Sequence, residues 1–380
     1  MNFSLETAPS ELTYVILIFA LFVVPKVVER IRVPAGVVAL GLGALASIGF
    51  ELFRYDATIP LLATLGITSL FLFAGLEIEF PELYRNRRIL IKHVIIGVVF
   101  LLMSTLAVQK YFELSFQVAC LYALALVTPS TGFIIDSLPS FGLTDDQKFW
   151  VKTKAISTEI VALAVMFFML QSTSLQGLGI SILGLAAVIL ALPVLFHIFA
   201  RMIAPYAPHS EFAFFLMLAV LCGLWTKRLG AYYLVGAFFV GVAIQRFRHF
   251  FSDMDTEKTL HALRLFSSFF IPFYFFNAGL KLTMEEFSLR SILIGLSLVI
   301  IVTPFRLLTV IPLRKYSLRE TLRESATVAG SLLPTLVFGL VIAGILRSRF
   351  GISDELFGAL ITYTVVISAV PGFIFKVKVA

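Results

Sequence analysis

Apolar stretches of about twenty residues recur along almost the whole of this 380-residue chain, separated by short polar segments. An α-helix of about that length crosses the hydrocarbon core of a bilayer, where lipid offers backbone N–H and C=O groups no hydrogen-bond partner. Charged residues make up only 14% of the chain, against about 25% in soluble globular domains. The sequence therefore predicts an all-α integral membrane protein.

Thirteen transmembrane spans are predicted from the polar residues that separate the apolar stretches. They lie near 12–28, 34–53, 58–80, 88–109, 115–138, 150–171, 178–200, 211–226, 230–245, 260–280, 289–313, 322–346 and 354–375. We expect a single transmembrane domain over residues 1–380, with no soluble regulatory domain.

The basic residues predict the orientation of the spans. With the N-terminus outside, most of the 30 Lys and Arg residues fall in cytoplasmic segments, as the positive-inside rule requires. The first eleven residues contain no Lys or Arg, which is the reverse of a signal peptide. The prediction is a multi-pass protein with its N-terminus outside and its C-terminus cytoplasmic. The few charges form no basic tract, which argues against nucleic-acid binding.

Two predicted spans are interrupted by proline at matching positions, 205 residues apart. Pro129 is flanked by Thr128, Ser130 and Thr131, and Pro334 is followed by Thr335. Seven spans separate the two prolines, so the two helices run in opposite directions. Discontinuous helices in such an inverted-topology repeat commonly build the substrate site of a transporter near the bilayer midplane.

Three ionisable residues fall inside predicted spans, where a charge costs about 2.5–3.5 kcal/mol on insertion scales. Glu159 is roughly 14 Å inward from Trp150 at 1.5 Å per helical residue, with apolar helical neighbours. Arg306 is predicted at a similar depth and is a candidate charge-compensating residue. Lys154 is predicted one turn inside the inner boundary, where its side chain can extend to the headgroups. The alternative to a functional role is a purely structural one, in which Glu159 forms a static ion pair with Arg306 or Lys154.

These residue types favour cation binding. The Glu159 carboxylate can hold either a proton or a small cation, and the oxygens of Thr128, Ser130 and Thr131 add neutral ligands suited to an alkali ion. Competition for one carboxylate, combined with alternating access, is a complete mechanism for cation/proton exchange. No cofactor is predicted.

The run Phe73-Ala74-Gly75-Leu76-Glu77-Ile78-Glu79 resembles a signature of bacterial monovalent cation/proton antiporters of the Kef and Nap type. The segments 276–280 and 234–241 also fit that family, and the resemblance extends over essentially the whole chain. It implies the sodium/proton antiporter fold, with thirteen helices, two crossed discontinuous helices, and dimerisation and core subdomains interleaved in sequence. It further implies a homodimer in the inner membrane that exchanges Na⁺ or K⁺ for H⁺.

Matched by position, the resemblance implies that Glu159 is the ion-binding acid of that family and that Thr158 is the residue before it. It also implies that Arg306 is the basic residue of the partner helix. The polar motif of the broken helix falls on residues 128–131. Family members usually carry Asp at the key position, and a single acid there implies electroneutral exchange. Lys154 departs from the family, because related electroneutral exchangers carry an acid at that position.

Other functions remain open. A sodium-coupled symporter of an organic anion can share this architecture, with Arg306 binding the substrate carboxylate. A transport-inactive sensor is also compatible with Glu in place of Asp. The chain has no H-E-x-x-H or G-x-S-x-G motif, so an intramembrane enzyme is not expected. The sequence does not distinguish Na⁺ from K⁺.

Overall fold

A computed structural model describes residues 11–53, 56–78, 80–85, 87–171, 175–207, 210–229, 233–247 and 256–374. Within these ranges the regular structure is helical and contains no β-strand. The all-α prediction is therefore confirmed.

The helices of the first half are α1 (Glu11–Val28), α2 (Ala35–Ala44), α3 (Thr58–Leu76), α4 (Phe80–Arg85), α5 (Arg87–Phe112), α6 (Phe116–Val127), α7 (Thr131–Ser137), α8 (Asp145–Gln171) and α9 (Leu175–Ile198). Those of the second half are α10 (Glu211–Arg228), α11 (Tyr233–Phe247), α12 (Thr256–Leu280), α13 (Leu289–Leu308), α14 (Ile311–Ser317), α15 (Leu322–Ser331), α16 (Leu336–Phe350) and α17 (Asp354–Ile374). Short π-helical turns, Leu45–Gly49 and Phe199–Ile203, extend α2 and α9.

Local sequence signals fix several helix ends. The Ser115 hydroxyl accepts a hydrogen bond from Val118 N at the start of α6, which satisfies one of the free N–H groups of the first turn. Thr321 and Glu324 form a reciprocal capping box at the start of α15. Gly351, at φ 58°, ends α16 in the left-handed conformation that glycine adopts without steric cost.

Nine helical segments within the described ranges are long and apolar enough to cross a membrane, and a bent pair, α15 and α16, raises the number to ten. The second and ninth predicted spans correspond to shorter apolar helices, Ala35–Gly49 and Leu234–Phe247. At 1.5 Å per residue, helices of about 15 residues reach only about 22 Å. The multi-pass membrane architecture is confirmed, and the number thirteen stays a prediction.

The eleventh predicted span, 289–313, is not one continuous helix. Helix α13 ends at Leu308, where Thr309 bonds back to Arg306 O through its hydroxyl at 2.7 Å. Helix α14 begins at Ile311 with proline in its first turn, a position where the missing N–H is tolerated. Arg306 therefore lies in the last turn of α13 rather than in the middle of a longer helix.

The chain divides into two compact units, each built from segments that are separated in sequence. The first comprises Met1–Leu61, Lys92–Glu159 and Pro272–Ala380, and the second comprises Leu62–Ile91 and Ile160–Ile271. In the first unit, one apolar core joins α7, α8 and α15 through Ile134, Val151 and Val328. In the second unit, Phe196, Phe199 and Phe215 are central to the core.

Two pairs of glycines bring helices into close backbone contact, one pair in each unit. Gly75 of α3 lies against Gly241 of α11, and Gly43 of α2 lies against Gly279 of α12. A Cβ atom at any of the four would collide with a backbone carbonyl of the facing helix: Phe238 O, Leu72 O, Phe276 O or Leu40 O, respectively. Small residues permit this approach in membrane helices. Gly75 and Gly279 belong to the two related motifs that the sequence resemblance identified. Close helix packing therefore explains why these two positions are glycine.

Candidate functional site

The breaks in two discontinuous helices meet in the first unit. Residues 128–130 separate α6 from α7, and residues 332–335 separate α15 from α16, with a bend of 42°. Pro129 and Pro334 lie in these breaks because proline lacks an N–H and disfavours a helical conformation in the residue before it. Thr128 is accordingly extended, at φ −81° and ψ 118°. The predicted pair of broken helices is confirmed.

Ser130 joins the two breaks directly. Its backbone N–H donates to Pro334 O at 2.9 Å. Its hydroxyl oxygen accepts hydrogen bonds from Val337 N at 3.0 Å and Phe338 N at 3.3 Å. These N–H groups belong to the first turn of α16 and have no intrahelical acceptor. Ser130 therefore caps the opposite helix.

Arg306 is buried and holds the ends of two helices together. One guanidinium nitrogen, Nη1, donates to Leu333 O at 2.8 Å and to Leu126 O at 3.3 Å, and Nη2 donates to Leu332 O at 2.7 Å. These carbonyls lie at the C-terminal ends of α6 and α15, where the helix dipole carries partial negative charge. The charge of Arg306 is therefore offset by backbone dipoles.

Glu159 is 4% exposed and lies halfway along α8. Thr131, the first residue of α7, faces its carboxylate with both its backbone N–H and its hydroxyl. Neither Glu159 Oε2 nor Thr131 Oγ1 has a hydrogen-bond partner of regular geometry. Among the described residues Glu159 forms no ion pair with Arg306 or Lys154, so the structural alternative of a static ion pair is not observed.

Further buried hydroxyls around the breaks also lack partners. Oγ1 of Thr128, Oγ1 of Thr335 and Oγ1 of Thr364 are each fully enclosed without a hydrogen bond. Buried polar groups are normally paired, and unpaired hydroxyl oxygens at a helix break can coordinate an ion or water. Thr158 differs, because its hydroxyl donates to Lys154 O at 2.9 Å within α8.

Lys154 is buried, at 8% exposure. Helix α8 begins at Asp145, five residues before the predicted start of this span, so Lys154 is nine residues into the helix. The helix therefore begins earlier than the sequence predicted, whereas the position of Lys154 one turn inside the inner boundary stays a prediction. The capping pair Thr144 and Gln147 extends the helix through a polar turn that resembles a loop in sequence.

Helix α17 contributes three polar residues to this region that the sequence prediction missed. The Tyr363 hydroxyl donates to Leu126 O at 2.6 Å and lies 3.3 Å from Arg306 Nη1. The Ser368 hydroxyl accepts from Thr335 N at 3.2 Å. Thr364 is 205 residues after Glu159, the same offset that relates the two prolines. The sequence could have indicated Thr364 through this offset, because it makes Thr364 the counterpart of Glu159 in the second repeat.

No group of three or more His, Cys, Asp or Glu side chains suited to a metal ion occurs in the part of the chain that the structure describes. The arrangement instead offers a single buried carboxylate that Thr131 faces, in the same unit as the unpaired hydroxyls at the two breaks. Such oxygens can replace the hydration shell of an alkali cation, and the carboxylate can alternatively bind a proton.

Comparisons with known proteins show the family to which this chain is related. The family model described as "Sodium/hydrogen exchanger, transmembrane" matches residues 16–379. The chain is 23% identical to a probable Na(+)/H(+) antiporter 3 of Methanocaldococcus jannaschii, over 96% of this chain and 95% of the relative. It is 25% identical to the Na(+)/H(+) antiporter NhaS5 of Synechocystis sp., over 72% of this chain and 40% of that protein.

Solved structures show a similar fold. The sodium proton antiporter MjNhaP1 of Methanocaldococcus jannaschii superposes with a TM-score of 0.67 at 15% identity, covering 95% of this chain and 94% of that one. A second structure of the same antiporter gives a TM-score of 0.64. The matches support the cation/proton antiporter prediction, whereas the Kef and Nap subtype stays a prediction. The chain belongs to the sodium/hydrogen exchanger family of membrane transporters, which exchange Na⁺ for H⁺ and are not enzymes.

Proposed function

We propose that Glu159 is the group at which this exchanger binds either one sodium ion or one proton. The observation that carries the proposal is a buried carboxylate oxygen without a hydrogen-bond partner, beside the break of α6 and α7. A buried carboxylate is costly unless it is paired or protonated. A bound Na⁺ and a bound proton each remove that cost, and they exclude one another.

The neutral ligands of sodium in this proposal are the hydroxyls of Thr128 and Thr131 and the carbonyls freed at the break, with Thr158 next to the acid. Thr131 has the strongest support, because it faces the Glu159 carboxylate. Ser130 has a different role, since its hydroxyl already accepts two hydrogen bonds from α16. It holds the break in place and keeps the threonine oxygens turned to the ion.

One acid at the site supports one-for-one, electroneutral exchange by alternating access. Arg306 is the charge-compensating residue that holds the two helix ends, and its donors are already committed to backbone carbonyls. The organic-anion symporter requires that guanidinium to bind a substrate carboxylate, so the geometry favours the exchanger.

The test is proton flux in proteoliposomes that contain a fluorescent pH probe, after addition of sodium or potassium. We expect a sodium-dependent proton flux for wild type and none for Glu159→Gln. Asp146→Asn is the matched control, because this exposed acid lies on the same helix and should leave the flux unchanged. An imposed membrane potential should not change the rate. If proton flux persists in Glu159→Gln, the ion-binding site lies elsewhere. If the wild-type protein shows no flux with either cation, the transport-inactive sensor is favoured.

We also propose that the N-terminus is outside and the C-terminus cytoplasmic, in the plasma (inner) membrane. The uneven distribution of Lys and Arg supports this orientation. Arg319→Cys, between α14 and α15, should react with a membrane-impermeant maleimide only after cells are opened, whereas Ser353→Cys, between α16 and α17, should react in intact cells. The reverse pattern would contradict the orientation. Both native cysteines are buried and serve as a low background.

The resemblance to Kef and Nap antiporters supports a homodimer and leaves potassium as a further candidate cation. Light scattering of the detergent-solubilised protein tests the homodimer. A mass near 42 kDa after correction for detergent, which is the mass of one chain, would contradict it. The potassium arm of the flux assay tests potassium as a transported cation.

A further inference from the structure

A small cavity of about 50 Å³ lies beside the two breaks, within the first unit. Its lining includes Lys154, Arg306, Thr158, Thr309 and Pro129, and its other walls are apolar residues and Gly97. No acidic side chain of the described residues lines it. Two cationic side chains therefore face one partly open pocket without a carboxylate between them.

The charge of Lys154 is the one that lacks a partner. Arg306 donates to three backbone carbonyls at 2.7–3.3 Å, which offsets its charge. The Lys154 ammonium has no hydrogen bond or ion pair among the described residues, although the residue is only 8% exposed. Buried charges in proteins are normally paired, because desolvation of an unpaired ion costs several kcal/mol.

The polar groups at the cavity favour an anion over a cation. Lysine and arginine offer donors and no acceptor. The hydroxyls of Thr158 and Thr309 already donate to carbonyls of their own helices. A cation entering this space is repelled by the unpaired charge of Lys154, whereas an anion is attracted by it. Glu159 is not part of the lining.

The size of the cavity and its one unpaired charge favour a small monovalent anion. One water molecule needs roughly 10–15 Å³ of such space, so about 50 Å³ corresponds to roughly three to five water-sized positions. The single ammonium of Lys154 needs one negative charge, and the largely apolar walls offer few donors to a larger, multiply charged anion such as phosphate.

We propose that this cavity binds a small monovalent inorganic anion of the chloride class as the counter-ion of Lys154. The anion pairs with the ammonium and neutralises the positive potential that an incoming cation would meet. It is not a transported ion, and its binding does not depend on the assignment of Glu159.

The test is thermal unfolding of the purified, detergent-solubilised protein without sodium, in choline chloride and choline gluconate mixtures of constant ionic strength. We expect a saturable rise in the unfolding midpoint with chloride, because a ligand that binds only the folded state stabilises it. Lys154→Met should abolish the rise. Lys154→Arg, which keeps the charge, should retain it, and so should Lys148→Met, which removes an exposed lysine from the same helix.

Equal midpoints in the two salts for wild type would overturn the proposal, and so would an unchanged chloride effect in Lys154→Met. If Lys154→Met does not fold, bromide replaces chloride in crystals of the wild type, and its anomalous signal gives the position of the anion. A peak between Lys154 and Arg306 supports the site, and its absence there refutes it. None of these readouts uses sodium or transport, so they are independent of the exchange mechanism.

Discussion

Truncation of Arg306 to alanine should destabilise the protein through the helix ends that this side chain joins. Nη1 and Nη2 reach Leu333 O at 2.8 Å and Leu332 O at 2.7 Å. Leu126 O also accepts from Tyr363 at 2.6 Å, so it keeps a partner in the variant. Two buried carbonyls lose their arginine donors, and each buried group left unsatisfied costs about 1–3 kcal/mol. The expected loss in the free energy of unfolding is therefore roughly 2–6 kcal/mol.

The assay is unfolding by titration with SDS in mixed micelles, followed by the loss of helical circular dichroism. Arg290→Ala is the matched control, because Arg290 lies in the first turn of the same helix and its side chain is 81% exposed beside Glu355. Exposed ion pairs contribute about 0–1 kcal/mol. Arg306→Lys should fall between the two, since an ammonium keeps the charge but not the planar pair of donors. If Arg306→Ala and Arg290→Ala unfold alike, Arg306 does not hold the helix ends.

Three further perturbations test other parts of the structure. Ser130→Ala removes the acceptor for two N–H groups of α16 and should cost about 0.5–2 kcal/mol in the SDS titration; no change would contradict the capping role. Gly279→Ala should lower the thermal unfolding midpoint because its Cβ collides with a facing backbone carbonyl, whereas Gly97→Ala, which has open space, should not; equal midpoints would refute the close contact. The hydrogen bond from Arg314 holds the pKa of Glu320 below its usual range, so this pair stabilises the protein above about pH 4.5 and ceases to do so as the pH falls further. The difference in midpoint between wild type and Glu320→Gln should accordingly shrink between pH 6 and pH 3.5, and a constant difference would contradict the ionic contact.

The sequence predicted those parts of the site that depend on local chemistry. Proline acts on its own backbone and on the residue before it, so Pro129 and Pro334 marked both breaks correctly. The burial of Glu159 within α8 also agrees with the sequence analysis, because an acid inside a span is expected to face the protein interior rather than lipid, whereas its role in ion binding stays a proposal. The membrane architecture could also be predicted, because the length of each apolar stretch is a local property of the sequence.

The parts that the sequence did not predict depend on tertiary contacts or on backbone groups. The partners of Arg306 are carbonyl oxygens, which every residue has and which no residue type signals. Hydroxyl residues are common in membrane helices, where they often bond to their own backbone, so Tyr363 and Ser368 gave no distinctive signal. The burial of Lys154 was missed because α8 begins with a polar turn at Asp145, and hydropathy assigned that turn to a loop.

The contact between the two breaks also has a consequence for biogenesis. Ser130 and Pro334 are about 200 residues apart, so the ribosome makes the first break long before its partner exists. At about 5–20 residues per second, the interval is roughly 10–40 s. Throughout that time Ser130 N–H lacks its acceptor, and an unsatisfied backbone group in hydrocarbon costs several kcal/mol. We therefore expect α6 and α7 to gain this stabilising contact only after the second half of the chain has been inserted.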